Sequence, residues 1–257
     1  MEASILILGS GTSMGVPTLG CGCPTCSSSD PRDQRLRPSA AVEWDGHRVL
    51  IDTGPDFRQQ ALAHSLRQID AVFYTHSHAD HILGLDDLRP LSFLHSGGKM
   101  PLYADDATAT VIERVFEYTF AADASYPTRA RVELRRLTGA VDVDGARFQP
   151  VALTHGDLQV TGFRFGNAAY LTDMSSIPDS SLPLLQGLDV VILDALRKTP
   201  HPSHASLEDA IEWAQRLGAR RAFFTHMSHE ILHAEVAKEL PASMQLTFDG
   251  MRIPFEL

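Results

Sequence analysis

The stretch Thr75-His76-Ser77-His78-Ala79-Asp80-His81 places four metal-ligating side chains within six residues. It follows Ala71–Thr75 (AVFYT), which has the composition of a buried strand. In a loop leaving a strand end, the first two histidines can point to one side while the aspartate and last histidine turn to another. One short loop could therefore serve two adjacent ions, and its imidazole and carboxylate ligands suit Zn²⁺, Mn²⁺ or Fe²⁺.

Three further segments share a pattern of apolar strand, threonine and ligand. They are Leu153-Thr154-His155, Leu171-Thr172-Asp173 and Phe224-Thr225-His226. A single histidine at a strand end is more often structural, so the argument depends on the whole set. With the first run they supply seven ligands, enough for two metals with open positions for water and substrate.

The three cysteines all lie in Cys21-Gly22-Cys23-Pro24-Thr25-Cys26. An odd and tightly clustered set cannot form a disulfide framework and is typical of metal ligands. Three reduced thiols in a loop are the alternative.

The bulk composition is that of an ordinary globular protein. The 257 residues suit one domain, 1–257, with 44% hydrophobic and 21% charged residues. A net charge of −10 argues against a broad nucleic-acid surface. It does not exclude a phosphorylated substrate, since bound cations dominate the local field of a site. We see neither a secretory signal nor an apolar stretch of the ~18 residues that span a bilayer, and expect a cytoplasmic protein without membrane contact.

Short β runs precede and then alternate with helical segments, which predicts α/β layers with mixed sheets. The clearest helix is Ser206–Leu217, with a capping box and a stop at Gly218. Asp106–Tyr118 and Pro55–Leu66 are two more helical segments, and residues 120–131 indicate a loop or lid. Strands are expected at Ser4–Leu8, Ala40–Trp44, Arg48–Asp52, Ala71–Thr75, Phe148–Thr154, Gln159–Phe165, Ala169–Thr172, Val190–Asp194 and Ala222–Thr225.

The run His76-Ser77-His78-Ala79-Asp80-His81 resembles the HxHxDH signature of the metallo-β-lactamase superfamily. Four further residues match its other motifs in order, and the resemblance implies an αββα sandwich of two mixed sheets with two divalent ions, Zn or Mn, at one edge. It also implies roles. One metal would be held by His76, His78 and His155, the other by Asp80, His81 and His226, with Asp173 bridging them and Asp52 bracing the site without binding metal. For Asp52, a turn-capping role before Thr53-Gly54 is the alternative.

Other segments narrow the resemblance to the PhnP-type phosphodiesterases of the carbon–phosphorus lyase pathway. These segments are Gly9-Ser10-Gly11-Thr12-Ser13, Gly15-Val16-Pro17, the cysteine cluster, Thr225-His226-Met227-Ser228-His229 and Phe248-Asp249-Gly250-Met251. In that family three cysteines and one histidine hold a structural zinc. The matching residues here are Cys21, Cys23, Cys26 and His229, in a zinc loop over residues 17–38, and three thiolates with one imidazole suit a closed tetrahedral site. Relatives of this type also suggest a homodimer.

A histidine before the helix at Ser206–Leu217 is a further active-site candidate. His204 matches a histidine that is thought to assist phosphodiester cleavage in the family, as an acid or phosphate contact. The neighbouring His201 could take that place instead. Arg89 lies on what is usually a solvated helix face, although it could reach a substrate phosphate. The remaining histidines look structural or superficial: His47, His64, His95 and His233.

These observations predict hydrolysis of a small or cyclic phosphodiester, by resemblance a 5-phosphoribosyl 1,2-cyclic phosphate, through attack of metal-bound hydroxide. Asp80 would orient or deprotonate the water, and His204 would aid departure of the alkoxide. A tRNA 3′-processing endonuclease or an exonuclease shares the ligand set, but the former would be expected to carry a long basic clamp that this sequence lacks. Thioester or lactam hydrolysis and a non-enzymatic accessory role are further alternatives.

Overall fold

The computed structural model describes residues 1–121 and 128–257, which form two seven-stranded sheets. The order of the first sheet is β14-β1-β2-β3-β4-β5-β6, and that of the second is β13-β12-β11-β10-β9-β8-β7. The first comprises β1 (Glu2–Gly9), β2 (Ser39–Trp44), β3 (His47–Ile51), β4 (Ala71–Phe73), β5 (Met100–Ala104), β6 (Val132–Arg136) and β14 (Arg252–Glu256). The second comprises β7 (Val141–Val143), β8 (Ala146–His155), β9 (Leu158–Phe165), β10 (Ala168–Leu171), β11 (Val190–Asp194), β12 (Arg221–Thr225) and β13 (Met244–Leu246).

Both sheets are mixed. In the first, β14, β1, β2 and β3 pair antiparallel, and β3 through β6 pair parallel. In the second, β7 through β10 pair antiparallel, and β10 through β13 pair parallel. The faces meet in a buried core where the rings of Phe73 and Phe148 stack with centroids 4.8 Å apart.

Helices cover the outer face of each sheet, so the layers are αββα. The helix side of the first sheet buries Phe57, Ile82 and Ile112, and that of the second buries Leu207 and Ala210. The α-helices are α1 (Phe57–Ala63), α2 (Ala79–Ile82), α3 (Arg89–Ser92), α4 (Asp106–Val115), α5 (Glu117–Phe120), α6 (Leu207–Leu217) and α7 (His233–Val236), with 3₁₀ turns at Pro31–Asp33, Leu85–Leu88 and Asp179–Leu185.

The predicted fold class is confirmed, and all nine predicted strands are present with ends within two residues of those expected. Helix α6 has the predicted capping box, in which Ser206 Oγ accepts from Asp209 N and Asp209 Oδ2 accepts from Ser206 N. It ends at Gly218, whose φ of 66° is the left-handed conformation that glycine adopts readily.

Two helix predictions were too long. The segment Asp106–Tyr118 breaks into α4 and α5 at Phe116, whose φ of −111° and ψ of 38° are not helical. The segment Pro55–Leu66 is helical only over Phe57–Ala63. The predicted lid at 120–131 falls partly on 122–127, outside the described residues. No helix among the residues described is long and apolar enough to cross a bilayer.

Strands from both sheets end at one edge of the sandwich. From the first sheet, β3 leads into Asp52, and β4 leads into the histidine run. From the second, β8, β10, β11 and β12 end at or just before four ligand-type residues, namely His155, Asp173, Asp194 and His226. The topology therefore gathers polar residues from six strands at a single place.

Candidate metal centre

The loop after β4 presents its four ligand-type residues in two directions. His78 is the N-cap of α2, and the single turn of this helix carries Asp80 and His81 inward. His76, Asp80 and His81 are buried, whereas His78 is exposed. His76 and His78 nevertheless fall into one group of ligand atoms, and Asp80 and His81 into another, which is the division expected from the spacing.

The first cluster consists of His76, His78 and His155, whose ligand atoms lie within 4.8 Å of one another. His155 Nδ1 lies 2.7 Å from the carbonyl oxygen of Ser203. Because a carbonyl only accepts, Nδ1 carries the proton, and Nε2 is left with a free electron pair for a metal. His76 Nδ1 lies 3.0 Å from Thr75 Oγ1, which directs its Nε2 toward the same group.

The second cluster consists of four buried residues: Asp80, His81, Asp173 and His226. The two oxygens of Asp173 face different histidines, with Oδ2 3.1 Å from His81 Nε2 and Oδ1 3.1 Å from His226 Nε2. Asp80 Oδ2 lies 3.2 Å from His81 Nε2. Asp173 also groups with His155 and His204 within 4.8 Å, so the two clusters are contiguous.

Opposite charges in this cluster act on one another at short range. Burial alone would raise the pKa of Asp173, but His226 and His81 hold it well below its usual range. Burial alone would lower the pKa of His226, yet the carboxylate of Asp173 raises it to about 10. The positive charge of the histidines thus balances the negative charge of the carboxylates. A bound metal ion would provide the same balance.

The donor set fits metal ions. The Nε2 atoms of His76, His81 and His226 are buried, and none makes a well-aligned hydrogen bond among the described residues, although those of His81 and His226 lie 3.1 Å from the Asp173 oxygens. Buried polar atoms nearly always make well-aligned hydrogen bonds, so three ring nitrogens that make none indicate ligands for cations. Imidazole and carboxylate groups in this number suit Zn²⁺, Mn²⁺ or Fe²⁺.

Asp52 lies behind this cluster, fully buried. Its Oδ1 accepts from Thr75 N at 2.8 Å, and its Oδ2 lies 2.8 Å from Thr75 Oγ1 and 2.7 Å from His81 Nδ1. These contacts orient the His81 ring with Nε2 toward the cluster, as the bracing hypothesis requires. The carboxylate makes no side-chain hydrogen bond to Thr53-Gly54 in the described structure, so its geometry does not favour the turn-capping alternative.

His204 lies beside the centre, with its ring centroid 4.5 Å from that of His155 and 4.8 Å from that of His226. Its Nδ1 lies 2.6 Å from Asp194 Oδ2. His201 lies one ring further out, 5.2 Å from His204. The structure thus places His204 against the proposed ligands, with His201 as its neighbour.

Sequence reasoning missed Asp194, a fully buried carboxylate at the end of β11. Besides contacting His204, its Oδ2 accepts from Met174 N at 3.1 Å. The sequence feature that could have identified Asp194 is an aspartate at the end of an apolar strand, a position similar to that of Asp52 after β3. Arg89, by contrast, is an exposed residue at the start of α3, 4.0 Å from Asp86, and among the described residues no hydrogen bond or ion pair joins it to either metal cluster.

A separate cluster gathers Cys21, Cys23, Cys26 and His229, with ligand atoms within 4.8 Å of one another. His229 Nδ1 lies 3.2 Å from Cys21 Sγ and 3.4 Å from Cys23 Sγ. A hydrogen bond from Cys26 N is the chief cause that lowers the pKa of Cys23 to about 6, which favours the thiolate. The predicted zinc ligands therefore come together in an arrangement that fits a closed structural site.

The buried Arg35 joins the loop that carries the three cysteines to the sandwich. Its guanidinium donates to the carbonyl oxygens of Ser228 at 3.0 Å and Ile231 at 2.6 Å, and pairs with Asp33 at 2.8 Å. The segment that carries His229 is thereby held against the loop that carries the cysteines.

The chain is similar to known families and structures. The β-lactamase superfamily domain matches residues 47–227. A crystal structure described as a new diphosphatase from the PhnP family is 52% identical with a TM-score of 0.94, and the match covers 100% of this chain and 98% of that one.

Two curated relatives match as well. An octanoyltransferase of Porphyromonas gingivalis is 36% identical over 96% of this chain, and a ribonuclease Z of Bradyrhizobium diazoefficiens is 31% identical over 65% of it. The chain spans only 50% and 59% of their respective lengths. The chain therefore belongs to the β-lactamase superfamily, and over its whole length it resembles a protein of the PhnP family.

Proposed function

We propose that this protein is a dinuclear metal-dependent phosphodiesterase that hydrolyses a small or cyclic phosphodiester. The observation that carries the proposal is the convergence of seven ligand-type residues from four strand ends on two contiguous clusters, beside the His204–Asp194 pair. The 52% identity to a PhnP-family diphosphatase supports phosphorus chemistry.

The chain's own residues would divide the work as follows. His76, His78 and His155 would hold one cation, and Asp80, His81 and His226 the other, with Asp173 available to both. Bound together, the cations would lower the pKa of a water and offset charge on phosphoryl oxygens. Asp80 would orient that water as it attacks phosphorus.

His204 would supply the proton for the leaving oxygen. Its Nδ1–H donates to the carboxylate of Asp194 at 2.6 Å, which orients the ring. When the ring is protonated Nε2 also carries a proton, and this proton would pass to the alkoxide as the ester bond to phosphorus breaks. His204 then becomes neutral and regains a proton from solvent.

The leading substrate is a ribose cyclic phosphate of the 5-phosphoribosyl 1,2-cyclic phosphate kind, as in the PhnP-type enzymes that the sequence resembles. Because the 52% identical relative is a diphosphatase, phosphoanhydrides are also worth testing as substrates. We further propose a homodimer in the cytoplasm, without nucleic-acid or membrane partners.

A nuclease of the ribonuclease Z type is the second candidate, favoured by the 31% identity to the Bradyrhizobium enzyme over 182 residues. The net charge of −10 opposes it, because RNA binding depends on neutralising phosphates with lysine and arginine. Acyl transfer or hydrolysis is a third candidate, because a 36% identical relative is an octanoyltransferase. This chain spans only 50% of that relative.

The decisive experiment compares turnover by the zinc- and manganese-loaded protein on five substrates. They are bis-p-nitrophenyl phosphate, 5-phosphoribosyl 1,2-cyclic phosphate, a nucleoside diphosphate sugar, a precursor tRNA and an octanoyl thioester. We expect the cyclic diester to be the best substrate. Robust tRNA cleavage with negligible turnover of small diesters would overturn the proposal.

Two variants test the assigned roles. Asp80→Ala should abolish turnover and lower the metal content, whereas His204→Ala should keep the metals and lose roughly 100-fold in kcat, a typical loss for general-acid catalysis. Metal content is measured by mass spectrometry in each preparation. Unchanged turnover in both variants would contradict this mechanism.

A further inference from the structure

The segment Thr199–Ala205, which we call the histidine loop, carries two neighbouring imidazoles beside the metal centre. His204 has a proposed role as an acid, whereas His201 has none. The two rings lie 5.2 Å apart, close enough for one small substrate to contact both.

The histidine loop is held at several points by the surrounding protein. The Arg197 side chain donates to the carbonyl oxygens of Thr199 at 3.1 Å and Pro200 at 2.7 Å. His155 Nδ1 donates to the Ser203 carbonyl at 2.7 Å, and Ala205 N donates to the Met174 carbonyl at 2.7 Å. The backbone on both sides of His201 is therefore held in place. Substrate binding then costs little conformational entropy in this loop.

The two imidazoles have opposite hydrogen-bonding characters. Ser203 N–H points at His201 Nδ1 at 3.3 Å, so this nitrogen accepts and the neutral ring carries its proton on Nε2. His204 Nδ1 instead faces the carboxylate of Asp194 and must donate. His201 is thus a neutral donor at Nε2, whereas His204 can give a proton from Nε2 only as the cation.

Nothing in the described structure competes for the His201 donor. Its Nε2 makes no hydrogen bond within residues 1–121 and 128–257, and the side chain is partly exposed. A donor that is held by its loop and makes no hydrogen bond among the described residues, 5.2 Å from the ring of the proposed acid, is suited to bind another oxygen of the same leaving group.

We propose that His201 determines specificity by donating its Nε2–H to a leaving-group oxygen next to the scissile one. The favoured substrate class is then a phosphodiester whose leaving group carries a hydroxyl or phosphoryl oxygen at that position, as a ribose cyclic phosphate does. This proposal rests on the proposed function, and it assigns His201 a role in binding and none in proton transfer.

The kinetic test compares His201→Leu with His201→Gln on two substrates. Leucine removes the donor, whereas the amide nitrogen of glutamine can replace Nε2. The leaving group of bis-p-nitrophenyl phosphate has no oxygen next to the scissile one. We expect His201→Leu to lower the ratio of kcat/KM for the ribose cyclic phosphate over bis-p-nitrophenyl phosphate about tenfold, mainly through KM, and His201→Gln to restore most of it. The matched control is His95→Leu, since His95 contacts the Asp70 carbonyl ahead of β4, at the opposite strand end from the centre.

A binding measurement separates this proposal from the proposed function. Calorimetry on the zinc-loaded protein should show that His201→Leu weakens ribose 1-phosphate about tenfold relative to inorganic phosphate. Equal weakening of both anions, or of neither, would overturn the role of His201. A wild-type protein that hydrolyses no diester but shows this selective loss would contradict the proposed function and still support the donor.

Discussion

At the residue scale, three of the residues at this edge have backbone conformations that are unusual for their type. Asp52, Asp173 and His226 have φ values of 63°, 54° and 59°, in the left-handed region that favours glycine. Asp52 and His226 directly follow strands and Asp173 follows one after a single residue, and the positive φ turns each side chain into the common edge. Such conformations cost roughly 1–3 kcal/mol each, which indicates that the positions of these side chains matter more here than local stability.

Asp52→Asn tests whether the Asp52 carboxylate, which contacts His81 Nδ1, strengthens metal binding by His81. The amide keeps the size of the side chain but weakens its hydrogen bond with His81 Nδ1. We expect metal affinity to fall about 10–100-fold, the usual loss for such supporting groups, as measured by competition with a chelator. Asp144→Asn is the matched control, since Asp144 also has a positive φ, 45°, but lies at a surface turn. Equal affinity in the Asp52 variant and this control would contradict the role.

Asp194→Asn tests how His204 is supported. Without the carboxylate the His204 Nδ1–H loses the hydrogen-bond partner that orients the ring, so cleavage of esters with poor leaving groups should slow by about 100-fold in kcat. Esters of p-nitrophenol need little protonation of the leaving oxygen and should lose much less. A purely structural defect would slow both substrates alike, and that result would remove the proton-donor assignment.

At the element scale, the loop after β3 packs directly on α2. A Cβ on Gly54 would lie 2.0 Å from the carbonyl oxygen of Asp80, and one on Gly84 would lie 2.0 Å from the carbonyl oxygen of Gly54. Only glycine permits such close backbone contact. The positions of Asp80 and His81 therefore depend on two glycines that are not themselves ligands.

Gly54→Ala should displace α2 and its ligands. We expect loss of at least one metal per chain and a decrease in turnover of more than tenfold, because misplacing reacting groups by an ångström is costly. Metal analysis and kinetics provide the measurements. The control is Gly139→Ala, where an added Cβ meets no atom within 4 Å. Full metal content in the Gly54 variant would contradict the prediction, because the backbone would then accommodate the added methyl group without displacing the ligands.

Cys21→Ser tests the zinc loop as an element. Since Cys21 Sγ lies 3.2 Å from His229 Nδ1, we expect one fewer zinc per chain and a melting temperature lower by several degrees, because a structural metal stabilises the folded state. Zinc analysis and thermal unfolding measure both, with the exposed Ser27→Ala as control. Activity should fall less than zinc content, since His226 belongs to a different cluster. Unchanged zinc stoichiometry would contradict the assignment.

At the scale of the whole molecule, the chain closes on itself around the sandwich. β1 pairs with β14, and the amino and carboxyl ends meet where Met1 N donates to Leu257 O at 3.1 Å. Asp249, just before β14, accepts from Ser10 N at 2.8 Å and Leu36 N at 2.7 Å. Burial raises the pKa of this carboxyl to about 6. Remote segments are thus joined near the zinc loop.

Global stability should decrease in acid partly because of His233. Burial and the neighbouring Arg32 and Arg35 lower the pKa of His233 to about 4, below the value of about 6.5 in the unfolded chain. The folded state therefore favours the neutral ring. The contribution of His233 to the free energy of unfolding is complete above pH 6.5 and is lost as the pH falls toward 4. This contribution is at most about 3 kcal/mol.

The measurement is denaturant unfolding of wild type and His233→Gln between pH 7 and pH 4. The variant should lose less stability than wild type over this range, because glutamine does not titrate. Comparing the two cancels the groups that they share, proposed metal ligands included. His95→Gln is the control, and identical pH dependence in wild type and His233→Gln would refute this contribution.

The sequence alone predicted much of the fold and most of the candidate site, because local patterns carried the information. Apolar runs of four to eight residues marked nine strands, and the strand–threonine–ligand pattern marked His155, Asp173 and His226. These signals lie within a few neighbouring residues. Strands β5, β6, β7, β13 and β14 were not predicted, since their short or interrupted apolar patterns become strands only through pairing with neighbours.

The tertiary structure alone decided which groups meet. Asp194 looked like an ordinary strand end until the parallel pairing of β10, β11 and β12 placed it beside His204 and His226. The difference between His201 and His204 also depends on partners, because Ser203 N–H makes one ring nitrogen an acceptor and Asp194 makes the other a donor. Residues that are close in sequence cannot lie far apart, so the sequence itself limits their distance. Contacts between strands that are far apart in sequence are decided by sheet pairing and burial.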